Sequence, residues 1–323
     1  MCPDHGQPAS HAEGASQLID LSIITVRFNR VFANRVELMS LARQTLAPER
    51  FEIVIIDEST TGELPALIKQ FQSRLHIQYR HVTEWPQTGT IHRAAVGRVS
   101  HSIHLNAALT LARGRVIMIE AGEYVHLPES LEMMMEPHQV PGQSPCVVHA
   151  QVRDLKGHLI TEEQWNQDLR TLTTRTDCWG QWFAHPTHTP LYDEMACSSV
   201  RTDLLRKIGG MDETFMSGLQ CEVGEVLRRL VRCGATVQFT PTLVAGHLEH
   251  PRYDRSVGPD DYRAMQRNRR LLDQGYWESN PKVKYYRPGT EKRPIVANQR
   301  RTMGIFPSEV EQWSLQETLD RLE

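Results

Sequence analysis

Leu18-Ile-Asp-Leu-Ser-Ile-Ile-Thr-Val26 and, beyond a helix-like interval, Phe51-Glu-Ile-Val-Ile-Ile56 are the two stretches that decide the fold. Each is a short, nearly continuous apolar run rich in isoleucine and valine. That is the pattern of a strand buried on both faces of a parallel sheet. The interval places Val36, Met39, Leu41 and Leu46 on one side of a helix spanning 34–46. Strand, helix and strand in so short a length make a right-handed βαβ crossover. Ligands of such sheets bind beyond the carboxyl ends of the strands. Here those ends are Val26-Arg27-Phe28-Asn29-Arg30 and Asp57-Glu58-Ser59-Thr60. A carboxylate at that place can accept from a ribose or a base edge, and an arginine can meet a diphosphate. An aspartate there can equally cap the loop that carries it. No G-x-G-x-x-G and no P-loop is present, so neither a dinucleotide fold nor a P-loop NTPase is indicated.

Working outward, a helix is expected over Leu64–Leu75, a strand over His76–His81, and a mobile polar loop over Trp85–Val99. A helix over Ser100–Ala112 then leads to a fourth strand, Arg115–Ile119, which runs into Glu120-Ala-Gly-Glu123-Tyr-Val-His126. Glu123 and His126 form an E-x-x-H pair. The methionines of Leu131-Glu-Met-Met-Met135 read as core filling. Strand Cys146–Gln151 precedes a polar insert over Val152–Gly180. Trp179-Gly-Gln-Trp182-Phe-Ala-His185-Pro-Thr-His188 is aromatic and His-rich; tryptophan faces make platforms for sugar rings. No cysteine pair accompanies these histidines, which argues against structural zinc.

A strand over Met195–Arg201 enters Arg201-Thr-Asp-Leu-Leu-Arg-Lys-Ile208-Gly-Gly-Met-Asp-Glu213, a helix stopped by paired glycines. The next helix carries Glu222, Glu225, Arg228 and Arg229. Two carboxylates three apart on one helical face suit a general base or a grip on a sugar hydroxyl; they also fit a solvated charged helix. Gly234–Pro241 reads as a short strand, followed by His247 and His250. Residues 258–275 read as a helix, 276–302 as a basic run, and Ser308 and Ser314 as capping-box starts of a terminal helix.

The chain has 323 residues, 40% of them hydrophobic and 23% charged, which are globular values. A formal charge of −3 gives no global attraction to nucleic acid or anionic membrane. The six cysteines form no C-x-x-C, and no apolar run approaches a membrane span. A reduced, cytoplasmic, soluble protein without a transmembrane segment is therefore the expectation.

The segments, in their order, resemble family 2 glycosyltransferases of the GT-A fold. "LSIITVRFNR…LMSLARQTLAPERFEIVIIDEST" is similar to the family opening "vSIIipt.NR…l.SLl.Qt…..EiivvDdgS", and the 201–229 stretch is similar to "R…l…iGGFDE.f..G…ED.D…R". The resemblance covers about 20–250. It implies an α/β GT-A fold: a Rossmann-like, mostly parallel sheet with a C-terminal helical, basic extension. The implied division is a tail over 1–18, a nucleotide-sugar half over 19–126, an acceptor half over 127–250 and an extension over 251–323.

The implied reaction is transfer of a hexosyl group from a nucleotide-diphosphate sugar, a UDP-sugar by expectation, to a hydroxyl of a glycan or lipid-linked glycan, with inversion. The donor would be held by Val26, Arg27, Asn29, Arg30, Asp57, Glu58, Asn106 and Glu120. The acceptor would be held by Trp179, Trp182, His185, Asp212 and Glu213. Two family motifs are altered. D-x-D has become Glu120-Ala121-Gly122, leaving Glu123, His126 and His247 as candidate ligands for Mn²⁺ or Mg²⁺, or else a weakened or lost metal site. In "ED.D" the base position is Val223, leaving Glu222, with Asp212, Glu213 or Glu225, as candidate base. The alternatives are transfer to a modified nucleobase in DNA, prompted by the basic run, or a degenerate homologue that binds without turnover.

Overall fold

The computed structural model describes residues 19–57, 59, 61–81, 101–166, 175, 177–184, 197–212, 222–249, 266, 268 and 270. The expected βαβ unit is present: β1 (Leu21–Arg27), α1 (Val31–Leu41) and β2 (Phe51–Asp57), with β1 and β2 parallel and Arg27 opposite Asp57. Then follow α2 (Glu63–Phe71), β3 (Ile77–His81), α3 (His101–Leu111), β4 (Val116–Ala121) and β5 (Tyr124–His126). The chain continues with α4 (Ser130–Gln139), β6 (Cys146–Leu155), α5 (Glu162–Asn166) and β7 (Trp179–Ala184). The last described elements are β8 (Ser198–Arg201), α6 (Thr202–Lys207), α7 (Glu222–Arg232) and β9 (Thr236–Leu248).

All the described strands join one sheet in the order β3-β2-β1-β4-β8-β6-β9-β5, with β7 beside β6. The β3-β2-β1-β4 half is parallel; β8 runs against both β4 and β6. The central strands are mostly apolar because both faces are covered. Leu21, Ile23, Ile53 and Ile55 pack with α1, α2 and α4 on one face. Ile24, Val54, Ile56, Ile117 and Ile119 pack with α3, α6 and α7 on the other. Alternate residues of one strand thus serve two separate cores.

Two segments differ from the expectation. The polar insert over Val152–Gly180 is not all excursion: β6 extends to Leu155, and the aromatic stretch pairs with it as β7. The short strand at Gly234–Pro241 and the His-bearing segment after it form one 13-residue strand, β9, which pairs with β6 and β5. Sequence polarity concealed both, because strands at this end of the sheet need only one apolar face.

Candidate active site

The carboxyl ends of β1, β2 and β4 meet at one place. Asn29 adopts a left-handed conformation (φ 48°), which asparagine tolerates better than most residues. Its N–H donates to Ser59 Oγ at 2.8 Å, so the turn after β1 is fastened to the turn after β2. Asp57 is fully buried. Its carboxylate accepts from Ser59 N–H at 2.8 Å and from Tyr79 O–H at 2.6 Å. Burial and the Asp57 charge push the Tyr79 phenol well up, so it stays a donor. Tyr79 was not singled out from the sequence; a tyrosine on a short strand carries no signal until β3 is known to pair with β2.

Arg30 leaves the same turn and donates to Glu123 Oε1 at 2.6 Å. The same oxygen lies 3.8 Å from His247 Nε2, and His247 Nδ1 is 2.9 Å from Asp154 Oδ1. Burial works to lower the His247 pKa, but the hydrogen bonds and charges of Glu123 and Asp154 outweigh it and hold it above the ordinary value. Pairing of β6 with β9 sets Asp154 opposite His247, and pairing of β5 with β9 sets Tyr124 opposite it. Trp179 reaches the same neighbourhood. A Cβ at Gly246 would sit 3.4 Å from its ring, and Arg153 lies 5.9 Å above that ring. Trp182 pairs with Arg153 along β7.

Glu123 and His126 are not brought together. Glu123 lies in the turn between β4 and β5, whereas His126 ends β5. His126 turns inward, with its Nε2 2.7 Å from Glu120. Burial lowers its pKa to about 4, so it is neutral. Glu120, Glu37 and Arg27 complete this buried group. Arg27 pairs with both Glu37 oxygens and Asn34, and donates to the Gly122 carbonyl at 3.1 Å. Burial raises the pKa of both carboxyls, against the pull of the Arg27 charge. Arg27 and Glu120, expected to touch nucleotide, are thus engaged in this buried group, with Arg27 Nε and Glu120 Oε1 left without a partner among the described residues.

Asn106, also expected at the nucleotide, grips the loop after α6. Its Nδ2 donates to Met211 O at 3.0 Å and its Oδ1 accepts from Met211 N–H at 2.8 Å. Arg229 holds the same loop from the other side, donating to Ile208 O and Gly210 O, each at 2.7 Å. It also chelates Glu225, whose pKa burial raises to about 7 against the pull of Arg229. Glu225 is thus tied to its own helix. Asp212 follows directly, 5% exposed and close enough for its charge to raise Glu225. Glu222 opens α7. Val26 lies at the end of β1 opposite Ala121. Glu58, His185, Glu213, His188, His250, the loop expected over 85–99 and the basic run over 276–302 lie outside the described residues.

Among the described residues no three His, Cys, Asp or Glu side chains gather into a metal cage. Two ligands are nonetheless the usual complement for a cation that takes its remaining positions from phosphate and water. Glu123 and His247 fit that role. Their 3.8 Å separation is within the reach of one ion with bonds near 2.1 Å, and Asp154 already orients the imidazole.

The parallel half-sheet thus gathers an acidic residue at the end of β2 and a carboxylate–imidazole pair beyond β4. Residues 22–196 match the family model described as Glycosyl transferase family 2, and the chain belongs to that family. Validoxylamine A glucosyltransferase of Streptomyces hygroscopicus subsp. limoneus is 37% identical over 59 residues, 18% of this chain and 13% of that protein. The structure of GalNAc-T7 with UDP, GalNAc and Mn²⁺ superposes with a TM-score of 0.54 at 13% identity, covering 81% of this chain and 49% of that one. S. aureus TarS 1–349 in complex with UDP gives 0.51 at 16% identity, covering 77% and 64%. The chain spans less than two thirds of each relative's length. At these identities the structural likeness is one of fold, and that fold is the expected GT-A arrangement. No helix among the described residues is long and apolar enough to cross a membrane.

Proposed function

We propose that the protein transfers a sugar from a nucleoside-diphosphate donor, UDP-linked by preference, to an acceptor hydroxyl of a glycan, with inversion and with help from a divalent cation. The observation that carries this reading is the convergence of Arg30, Glu123 and His247, with Glu123 Oε1 2.6 Å from Arg30 and 3.8 Å from His247. Asp57, with Tyr79 and Ser59 holding its carboxylate, receives the nucleoside. Glu123 and His247 would hold Mn²⁺ or Mg²⁺, which when bound would offset the charge that builds on the departing diphosphate. Arg30 neutralises Glu123 and lies in the turn where the diphosphate arrives, so it exchanges one anion for the other. Asp212, steadied by Asn106 and Arg229, takes the proton of the acceptor hydroxyl as that oxygen bonds to C1. The C1–O bond to the diphosphate breaks on the opposite face. Glu222 is the second candidate base. Trp179 offers the acceptor sugar a platform.

UDP titrated calorimetrically, with and without Mn²⁺, tests the reading. Tighter binding with Mn²⁺ is expected, and Glu123→Gln should remove that increment. Asp212→Asn should lower turnover by about 10²–10⁴-fold with UDP affinity kept. Absence of UDP binding, or a Mn²⁺ increment indifferent to Glu123→Gln, would overturn it.

A further inference from the structure

A second site lies at the other end of the sheet. The amino ends of β1 and β4, the carboxyl end of β8 and the first turns of α6 surround an open cleft of about 770 Å³. Seven-residue β1 runs from this cleft to the candidate active site, so the two are separated by about 20 Å. Five arginines line the cleft, Arg50, Arg113, Arg115, Arg201 and Arg206, against two aspartates, Asp20 and Asp203. They come from separate segments of the chain and meet only through the fold.

Their existing bonds leave donors for a ligand. Asp20 is divided between Arg50 Nε and Arg115 Nη2. Asp203 takes Nε and Nη2 of Arg201. Arg113 uses Nε and Nη2 on Glu52. Arg206 spends Nη2 on the Leu109 and Ala112 carbonyls, and its buried Nε has no partner. The pairs at the rim are half-exposed, with Arg115 and Arg201 side chains 65% and 46% accessible, so they are weak and readily exchanged for a stronger anion. His138 lines the same cleft.

We propose that this cleft binds a ligand bearing phosphate of two or more negative charges, engaged by the guanidinium forks of Arg115, Arg201 and Arg50. The site is separate from donor binding and does not depend on the glycosyltransfer reading.

The full chain is titrated calorimetrically with pyrophosphate, and in a second arm with long-chain polyphosphate. The two arms separate a small free anion from phosphate carried on a polymer. The expected result is saturable binding in at least one arm. It should weaken roughly a hundredfold in Arg115→Ser/Arg201→Ser, about tenfold per guanidinium, and be unchanged in Asp57→Asn and with UDP present. Unchanged affinity in the double variant overturns the proposal, as does displacement by UDP or failure of wild-type protein to bind either probe. Because the two side chains are exposed, the double variant should keep the wild-type melting temperature. Should it unfold, Arg50→Ser alone serves the same comparison.

Discussion

Gly122 stands where the family pattern carries its second acid, and Arg27 explains why a side chain is absent there. A Cβ at 122 would lie 2.4 Å from Arg27 Cδ, and Arg27 Nη1 donates to the Gly122 carbonyl. The buried guanidinium has taken the space, and Glu123, one residue on, faces Arg30 and His247 instead. Restoring the acid by Gly122→Asp should therefore cost about 1–3 kcal/mol in urea unfolding, through overpacking. The cost should fall by more than about 1 kcal/mol in an Arg27→Ser background, because the two residues share one space. Additive costs would disprove the conflict. Asp154 is the other residue to test. By fixing the imidazole of His247 it should raise Mn²⁺ affinity, so Asp154→Asn is expected to weaken Mn²⁺ binding, read by electron paramagnetic resonance, about 10–100-fold. An unchanged affinity would reduce Asp154 to packing. Asp57 and Arg30 were legible in the sequence because strand ends announce themselves. Asp154 was not, since its partner is 93 residues away and only the β6–β9 register joins them.

The turn from α6 into Asp212 shows how an element fixes a site. Ile208 ends the helix, and Gly209 and Gly210 take φ of 88° and 72°, conformations that side chains resist. Their N–H groups return to Arg206 O and Leu205 O, closing the helix end. Asn106 of α3 and Arg229 of α7 then hold the next carbonyls and amides. The glycine pair and the arginine were readable as a pattern, but the sequence could not say that the arginine serves the loop rather than a ligand. Gly210→Ala meets both objections at once: positive φ, and a Cβ 2.5 Å from Asn106 Oδ1. It should destabilise the fold by more than about 1 kcal/mol and speed amide exchange at Met211, measured by hydrogen exchange. Wild-type stability and exchange in that variant would contradict the clamp. The reverse lesson comes from Glu123 and His126. Their spacing suggested a shared ligand, but Glu123, in the turn before β5, meets Arg30 and His247 while His126 meets Glu120.

On the scale of the whole molecule, one sheet carries the candidate-site residues at one end and the basic cleft at the other, and its centre imposes a pH dependence. His149 sits in β6, stacked on Phe239 at 5.1 Å with Nδ1 2.5 Å from Ser198 Oγ. Burial lowers its pKa to about 4. The unfolded chain takes up a proton near pH 6.5 that the folded chain refuses. The stability His149 contributes is thus complete above that pH and is lost as pH falls toward 4. Glu37, Glu120 and Glu225 are raised and act in the opposite sense, so the residue is isolated by difference. Wild type minus His149→Phe should lose roughly 2 kcal/mol of unfolding free energy between pH 7.5 and pH 5. A flat difference would show that the imidazole is solvated. The parallel half of this sheet and its crossover were determined by the sequence alone, because each rests on local periodicity and on strands that are largely apolar on both faces. The partners of the polar groups were decided only by tertiary structure. Whether Arg27 meets a diphosphate or Glu37, whether Glu123 meets His126 or His247, and whether five scattered arginines share a cleft depend on strand order and register, which bring together residues that no local pattern relates.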